Sequence, residues 1–173
     1  MEKEVHAIPA GCDLLYNFLS CRKRSEEAEP YRQRIFDYFK EAELAQQERT
    51  NLSVKDDFKH HGVEPDVIRK LHEQLGNHPD VAIAHLVQKV VHHFPQEPSY
   101  VLGIIIERFH WFGGDGDEAR DQRLIDKLAD EVSLPGHAFV IALEDAYKPL
   151  RKVFERIEGS EIYRAESYKA KTP

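Results

Sequence analysis

Cysteine is scarce in this 173-residue chain, with only Cys12 and Cys21, both in one amphipathic segment. On a single helix the two would lie roughly 13 Å apart along the axis at about 1.5 Å per residue. A disulfide needs Cα atoms within about 7 Å. Both are expected to be free thiols, which suits a reducing compartment. Neither has zinc-knuckle spacing or a local histidine partner for a thiol nucleophile. Long apolar runs are missing too, and nothing approaches the roughly 18 residues of a membrane span. The start, Met1-Glu2-Lys3-Glu4, is acidic where a secretory signal is basic. The expectation is therefore a cytoplasmic chain without membrane association.

Excess positive charge is lacking as well. The formal net charge is -7, which speaks against a dominant nucleic-acid surface. The motifs of familiar catalysts are absent. There is no GxSxG elbow, no GxGxxG turn, no HExxH pair, and no Lys-Ser or Lys-Thr to complete a P-loop. No repeat or low-complexity segment stands out.

The composition itself is that of a folded protein, 41% hydrophobic and 32% charged, with enough apolar material for a core. Prolines mark helix starts at Glu29-Pro30, Glu64-Pro65, His78-Pro79, Glu97-Pro98 and Leu134-Pro135, because the first helical turn needs no N–H there. The organisation expected is an N-terminal helical pair over residues 1–50, a main domain over 51–165 and a mobile tail over 166–173. Helix one is read from Asp13 to Arg24 and helix two from Pro30 to Arg49, with Ile35, Phe36, Phe39 and Leu44 as its stripe. Further helices are read at Lys55–His60, Pro65–Leu75 and Pro79–His93. The last of these has Val81, Ile83, Ala84, Leu86, Val87, Val90 and Val91 as a wide apolar face.

Two readings compete beyond Ser99. In one, helices run from Ser99 to Phe112, from Asp115 to Val132, from Ser133 to Tyr147 and from Leu150 to Ile157, capped by serine, aspartate and glycine. In the other, β-branched runs make short strands near 101–106, 139–143 and 160–164. The reading adopted is mainly α, an array of about seven or eight helices. The alternative is α+β or α/β with those strands.

Three groups of residues are candidates for function. The loop after Ile106 joins Glu107, His110, Asp115 and Asp117, oxygen and nitrogen ligands that would suit a divalent cation. The same residues also read as a plain helix start, with Asp115 as its cap. No other cofactor is implied. Val54 to Leu75 has the look of a helix-turn-helix turning at Gly62, which would offer Arg69, Lys70 and His72 to a DNA groove. Glu64, Asp66 and Glu73 on the same surface oppose that, and an ordinary helical corner explains the spacing as well. Finally, the N-terminal helices carry Tyr16, Phe18, Phe36, Tyr38 and Phe39, which become partner anchors if the helices stand apart. The function expected is a non-catalytic protein-interaction or regulatory module, bound to a protein partner or to itself. The alternatives are a metal-dependent enzyme at the 107–118 loop and a helix-turn-helix regulator.

Overall fold

The computed structural model describes residues 7–107 and 116–168, with side chains described from residue 119 in the second stretch. It is an α+β protein, with five α-helices and a five-stranded mixed sheet among those residues. The array of seven or eight helices is overturned. Two units divide the chain: one runs up to Asn51 and includes Val91–Glu97, and the other takes Leu52–Val90 and the chain from Pro98 onward.

The first unit is a helical hairpin, α1 (Ala7–Cys21) and α2 (Ser25–Thr50). Both helices begin earlier than expected. Pro9 sits in the first turn of α1, whereas Pro30 lies inside α2. Cys12 and Leu19 of α1 and Ala28 and Ala45 of α2 are buried. The two alanines let a neighbouring backbone approach closely.

The second unit is built on a sheet: β1 (Phe58–His60), β2 (Val81–Lys89), β3 (Ser99–Ile106), β4 (His137–Ala142) and β5 (Glu161–Arg164). β2 and β3 are antiparallel, and β3 and β4 are parallel. β1 and β5 share the other edge of β2, β1 pairing with Val87–Lys89 and β5 with the Ile83–His85 end. The crossover from β3 to β4 runs through α4 (Gly116–Glu131), because parallel neighbours need a long connection.

α3 (Pro65–Gly76) lays Leu71 and Leu75, with Val67 and Ile68, on one sheet face beside Ile125 and Leu128 of α4. The other face takes Leu150 and Phe154 of α5 (Lys148–Phe154) against Val87, Val101, Ile105 and Leu143. A covered sheet of this kind explains the misread segments. All but one residue of β2 is buried, so its sequence shows no strand alternation and its apolar positions match a helix as well as a strand. β1 replaces the helix expected at Lys55–His60. The segments weighed as strands near 101–106, 139–143 and 160–164 are β3, β4 and β5, and a 3-10 turn at Asp145–Tyr147 stands where the helix from Ser133 to Tyr147 was read.

Candidate functional site

The hairpin exposes what the sheet unit hides. Along α1, residues three, four and seven apart share a face. One stripe, Cys12, Tyr16 and Leu19, is buried or half-buried. A second, Asp13, Asn17 and Ser20, is polar, and the Asn17 amide donates to the Asp13 carboxylate. The third, Ile8, Leu15 and Phe18, is apolar yet 46%, 44% and 52% exposed, and Leu14 beyond it is 72% exposed. Arg22 lies over the Phe18 ring, 4.6 Å from its centroid. On α2, Phe36 and Phe39 are exposed as well.

Of the five aromatics anticipated as anchors, Phe18, Phe36 and Phe39 are therefore exposed, while Tyr16 and Tyr38 are half-buried. Tyr38 packs between Phe39 and Phe94, with ring centroids 5.7 and 5.5 Å away. Burial, with Glu97 nearby, pushes its phenol above the usual range.

The far end of α2 holds the Val91–Glu97 segment through charge. Arg49 is 5% exposed, and its Nη2 donates to the carbonyls of His93, Phe94 and Glu97. Phe94 has a φ of 49°, a left-handed conformation that those bonds stabilise. The neighbouring Glu48 carboxylate accepts the backbone N–H groups of His92 and His93 at 2.9 and 3.0 Å, and the His92 ring nitrogen lies 2.7 Å away. Burial alone would raise the Glu48 pKa, but the His93 and His92 donors outweigh it and hold the group at about 2.

The other candidate surfaces are dispersed. Glu107 follows β3, its N–H donating to the Asp80 carbonyl and its carboxylate accepting from the Ser167 hydroxyl at 3.4 Å. His110, Asp115 and the Asp117 side chain lie outside the described residues, as does the tail beyond Tyr168. Among the described residues no three His, Cys, Asp or Glu side chains are grouped to hold a metal. Nor is there a helix before Gly62 to complete a helix-turn-helix, since Phe58–His60 is strand. Arg69 is exposed and pairs with Asp66 at 3.0 Å, Lys70 is exposed, and His72 stacks edge-on with Tyr163 of β5.

Two arrangements carry no signal that the reading above used. The first is a buried Ser–His pair. The Ser160 hydroxyl donates to the Phe154 carbonyl at 2.7 Å, so the His85 Nδ1, 3.2 Å away, must be the donor to the Ser160 oxygen. That leaves the His85 Nε2 buried, without a hydrogen-bond partner among the described residues. Burial keeps the imidazole below its usual pKa. Both side chains are 2% exposed, so the hydroxyl is committed and sealed off, and the pair cannot act as a nucleophile in this form.

The second is a cleft of about 470 Å³ beside β4, within the range of ligand pockets. Its floor is Phe139–Ala142 with Ile125 of α4, and Asp121, Glu144, Asp145 and Tyr147 stand around it. A sequence signal did exist. Asp121 occupies the position one turn before Ile125 on the stripe that continues to Leu128, so an acid interrupts an apolar face. Asp145 has a φ of 46°, which aspartate tolerates better than most residues.

No family model, no curated protein and no solved structure matches this chain. Among the described residues no helix is long and apolar enough to cross a membrane.

Proposed function

We propose that this chain is a non-catalytic protein-interaction module whose helical hairpin docks an amphipathic helix of another polypeptide. The observation that carries the reading is the Ile8, Leu15 and Phe18 stripe of α1. A helix that is apolar on two of its three faces gains by having both covered. Among the described residues of its own unit, only the Cys12, Tyr16 and Leu19 face of α1 is covered. A partner helix laid along the third stripe would extend the hairpin toward a bundle. Full burial of one such side chain is worth about 1.5–3 kcal/mol, and an aromatic anchor like Phe18 concentrates binding energy.

The test is site-specific photocrosslinking in extracts of the source cells, with a photoreactive residue at position 18 and a control at position 20 on the polar stripe. The expected result is a discrete adduct from position 18, none from position 20, and loss of the adduct when Leu15→Glu is added. A band at twice the chain's mass would identify the partner as a second copy. Equal labelling from both positions, or labelling indifferent to Leu15→Glu, would refute the reading.

A further inference from the structure

β1 and β5 meet on one edge of β2, and histidines gather at the junction. There the Leu86 N–H donates to the Ser160 carbonyl at 2.7 Å. His60 ends β1, His61 follows it, and His85 stands in β2. Two of the three grip consecutive residues. The His61 ring is hydrogen-bonded to the Gly159 backbone, and the His85 Nδ1–H donates to the Ser160 hydroxyl. Gly159 and Ser160 lead directly into β5.

Each grip requires a neutral ring. The Val63 N–H donates to the His61 Nδ1 at 3.0 Å, so the ring proton sits on Nε2. A second proton would occupy Nδ1 and leave the N–H of the buried Val63 without its acceptor. It would also set a cation against the His60 ring, 4.1 Å away between centroids, whose own Nδ1 accepts the Gly62 N–H at 3.1 Å. At His85 a second proton would go to Nε2, which is buried and has no acceptor among the described residues.

The charges that face His85 come in matched pairs. Glu161 and Arg164 of β5 pair at 2.5 Å, and Arg151 of α5 pairs with Glu155 at 2.8 Å. The carboxylates favour a charged imidazole and the arginines oppose it, so burial decides and keeps the ring below its usual pKa. Burial, then the neighbouring His60, does the same at His61 and outweighs the Gly159 bond. Both rings therefore take up protons less readily in the closed junction than at their ordinary pKa of 6.5. Their stabilisation is complete above about pH 6.5 and is lost as pH falls below it. β5 is poorly placed to absorb that loss. It has four residues, only Ile162 of them buried, and its register with β2 shifts between Ala84 and His85.

We infer that His61 and His85 form an acid-released latch, which holds β5 on β2 while both rings are neutral and lets it go once they are protonated. Release uncovers the β2 edge at Ile83–His85 and leaves β2, β3 and β4 paired. The latch lies in the sheet unit and does not depend on the hairpin reading.

The experiment is amide hydrogen exchange of the full chain by NMR at about pH 7.5 and about pH 5.5, corrected for the intrinsic rate at each pH. The reporters are the Leu86 and Ala165 amides, whose bonds to the Ser160 and Ala82 carbonyls join β2 to the β5 segment. Their protection is expected to fall by about tenfold at the lower pH, the change that one histidine of ordinary pKa supplies about one unit below it. The Val101 to Ile104 amides of β3 are expected to keep theirs. His85→Asn retains a donor, and His61→Asn an acceptor, close to the Nδ1 position, and neither titrates. Each is expected to lessen the pH dependence, and the two together to remove it. Protection indifferent to pH, a loss shared equally by β3, or a double variant as pH-sensitive as the parent chain would each overturn the proposal. Should the double variant unfold, the ring nitrogen signals of the unaltered chain make the test. His85 is expected to carry its proton on Nδ1 and His61 on Nε2 at the higher pH. The reverse tautomers, or charged rings at the lower pH while Leu86 and Ala165 stay protected, would overturn the latch too.

Discussion

The hairpin unit and the sheet unit are made from the same kinds of residue and use them in opposite ways. Nine large hydrophobic side chains are exposed among the described residues, and seven of them, Ile8, Leu14, Leu15, Phe18, Phe36, Phe39 and Leu44, belong to the hairpin unit, which holds about a third of the chain. In the sheet unit every residue of β3 is buried, and helices cover both faces. The sheet unit satisfies its own apolar surface, whereas the hairpin leaves part of its own uncovered. An unburied stripe costs little folding stability and supplies binding surface. The contrast therefore separates the residues that hold the fold from those available to a partner.

The largest expected effect lies in the sheet unit. Phe154 is fully buried at 0% exposure and meets Phe58 edge-to-face at 5.1 Å. Phe154→Ala is expected to cost about 4 kcal/mol, measured by urea unfolding. A loss as small as that of a surface substitution would erase the distinction between the units. Gly103 sharpens the same point. A Cβ built there would meet the Leu143 side chain at 2.7 Å. Gly103→Ala should cost about 2 kcal/mol by overpacking, and pairing it with Leu143→Val should restore part of that in a double-mutant cycle.

Next comes the clamp on Val91–Glu97. Glu48→Gln exchanges charged hydrogen bonds for neutral ones and should cost about 2 kcal/mol, seen as faster hydrogen exchange at the His92 and His93 amides. The sign of its pH dependence follows from the shift. The folded carboxyl sits at about 2, against 4.5 for an unperturbed one. Its stabilisation is fully present above about pH 4.5 and fades as pH falls toward about 2, and Glu48→Gln should remove that dependence. The smallest effect belongs to the exposed stripe. Leu14→Ser or Phe18→Ser should change stability by no more than about 0.5 kcal/mol, while Phe18→Ser reduces partner binding. A large stability loss at Phe18 would mean that the stripe is core after all.

What could be read from the sequence follows the same division. α3 was legible because it is amphipathic: Val67, Ile68, Leu71 and Leu75 repeat at helical spacing while Arg69 and Lys70 face out. The helices α1 and α2 were legible from their long periodic segments, but the exposure of Phe18, Phe36 and Phe39 was not, because the same apolar spacing serves a buried face and a partner surface alike. β2 was not, because burial on both faces removes the alternation that marks a strand, and Val81 to Val87 fits a helical stripe equally well. β1 spans only three residues, too few for any pattern. The cleft was hidden for a different reason. Asp121 comes from α4, where it interrupts the apolar stripe, and Asp145 from the turn after β4, and neither alone marks a cleft. Only the parallel pairing of β3 with β4, a long-range event, brings them to one place.

The Val91–Glu97 segment has a topological consequence. It joins β2 to β3, yet it groups with the hairpin, so the chain crosses between its two units at three peptide bonds: 51–52, 90–91 and 97–98. Cutting the first of these would not release α1 and α2. Glu48 and Arg49 would still grip a loop that both remaining bonds tie to the other fragment. Two separately made pieces, divided after Asn51, should therefore find one another in solution. The hairpin would then behave as a diffusible ligand of the sheet fragment, with a dissociation constant to which the clamp and the Tyr38–Phe94 packing both contribute.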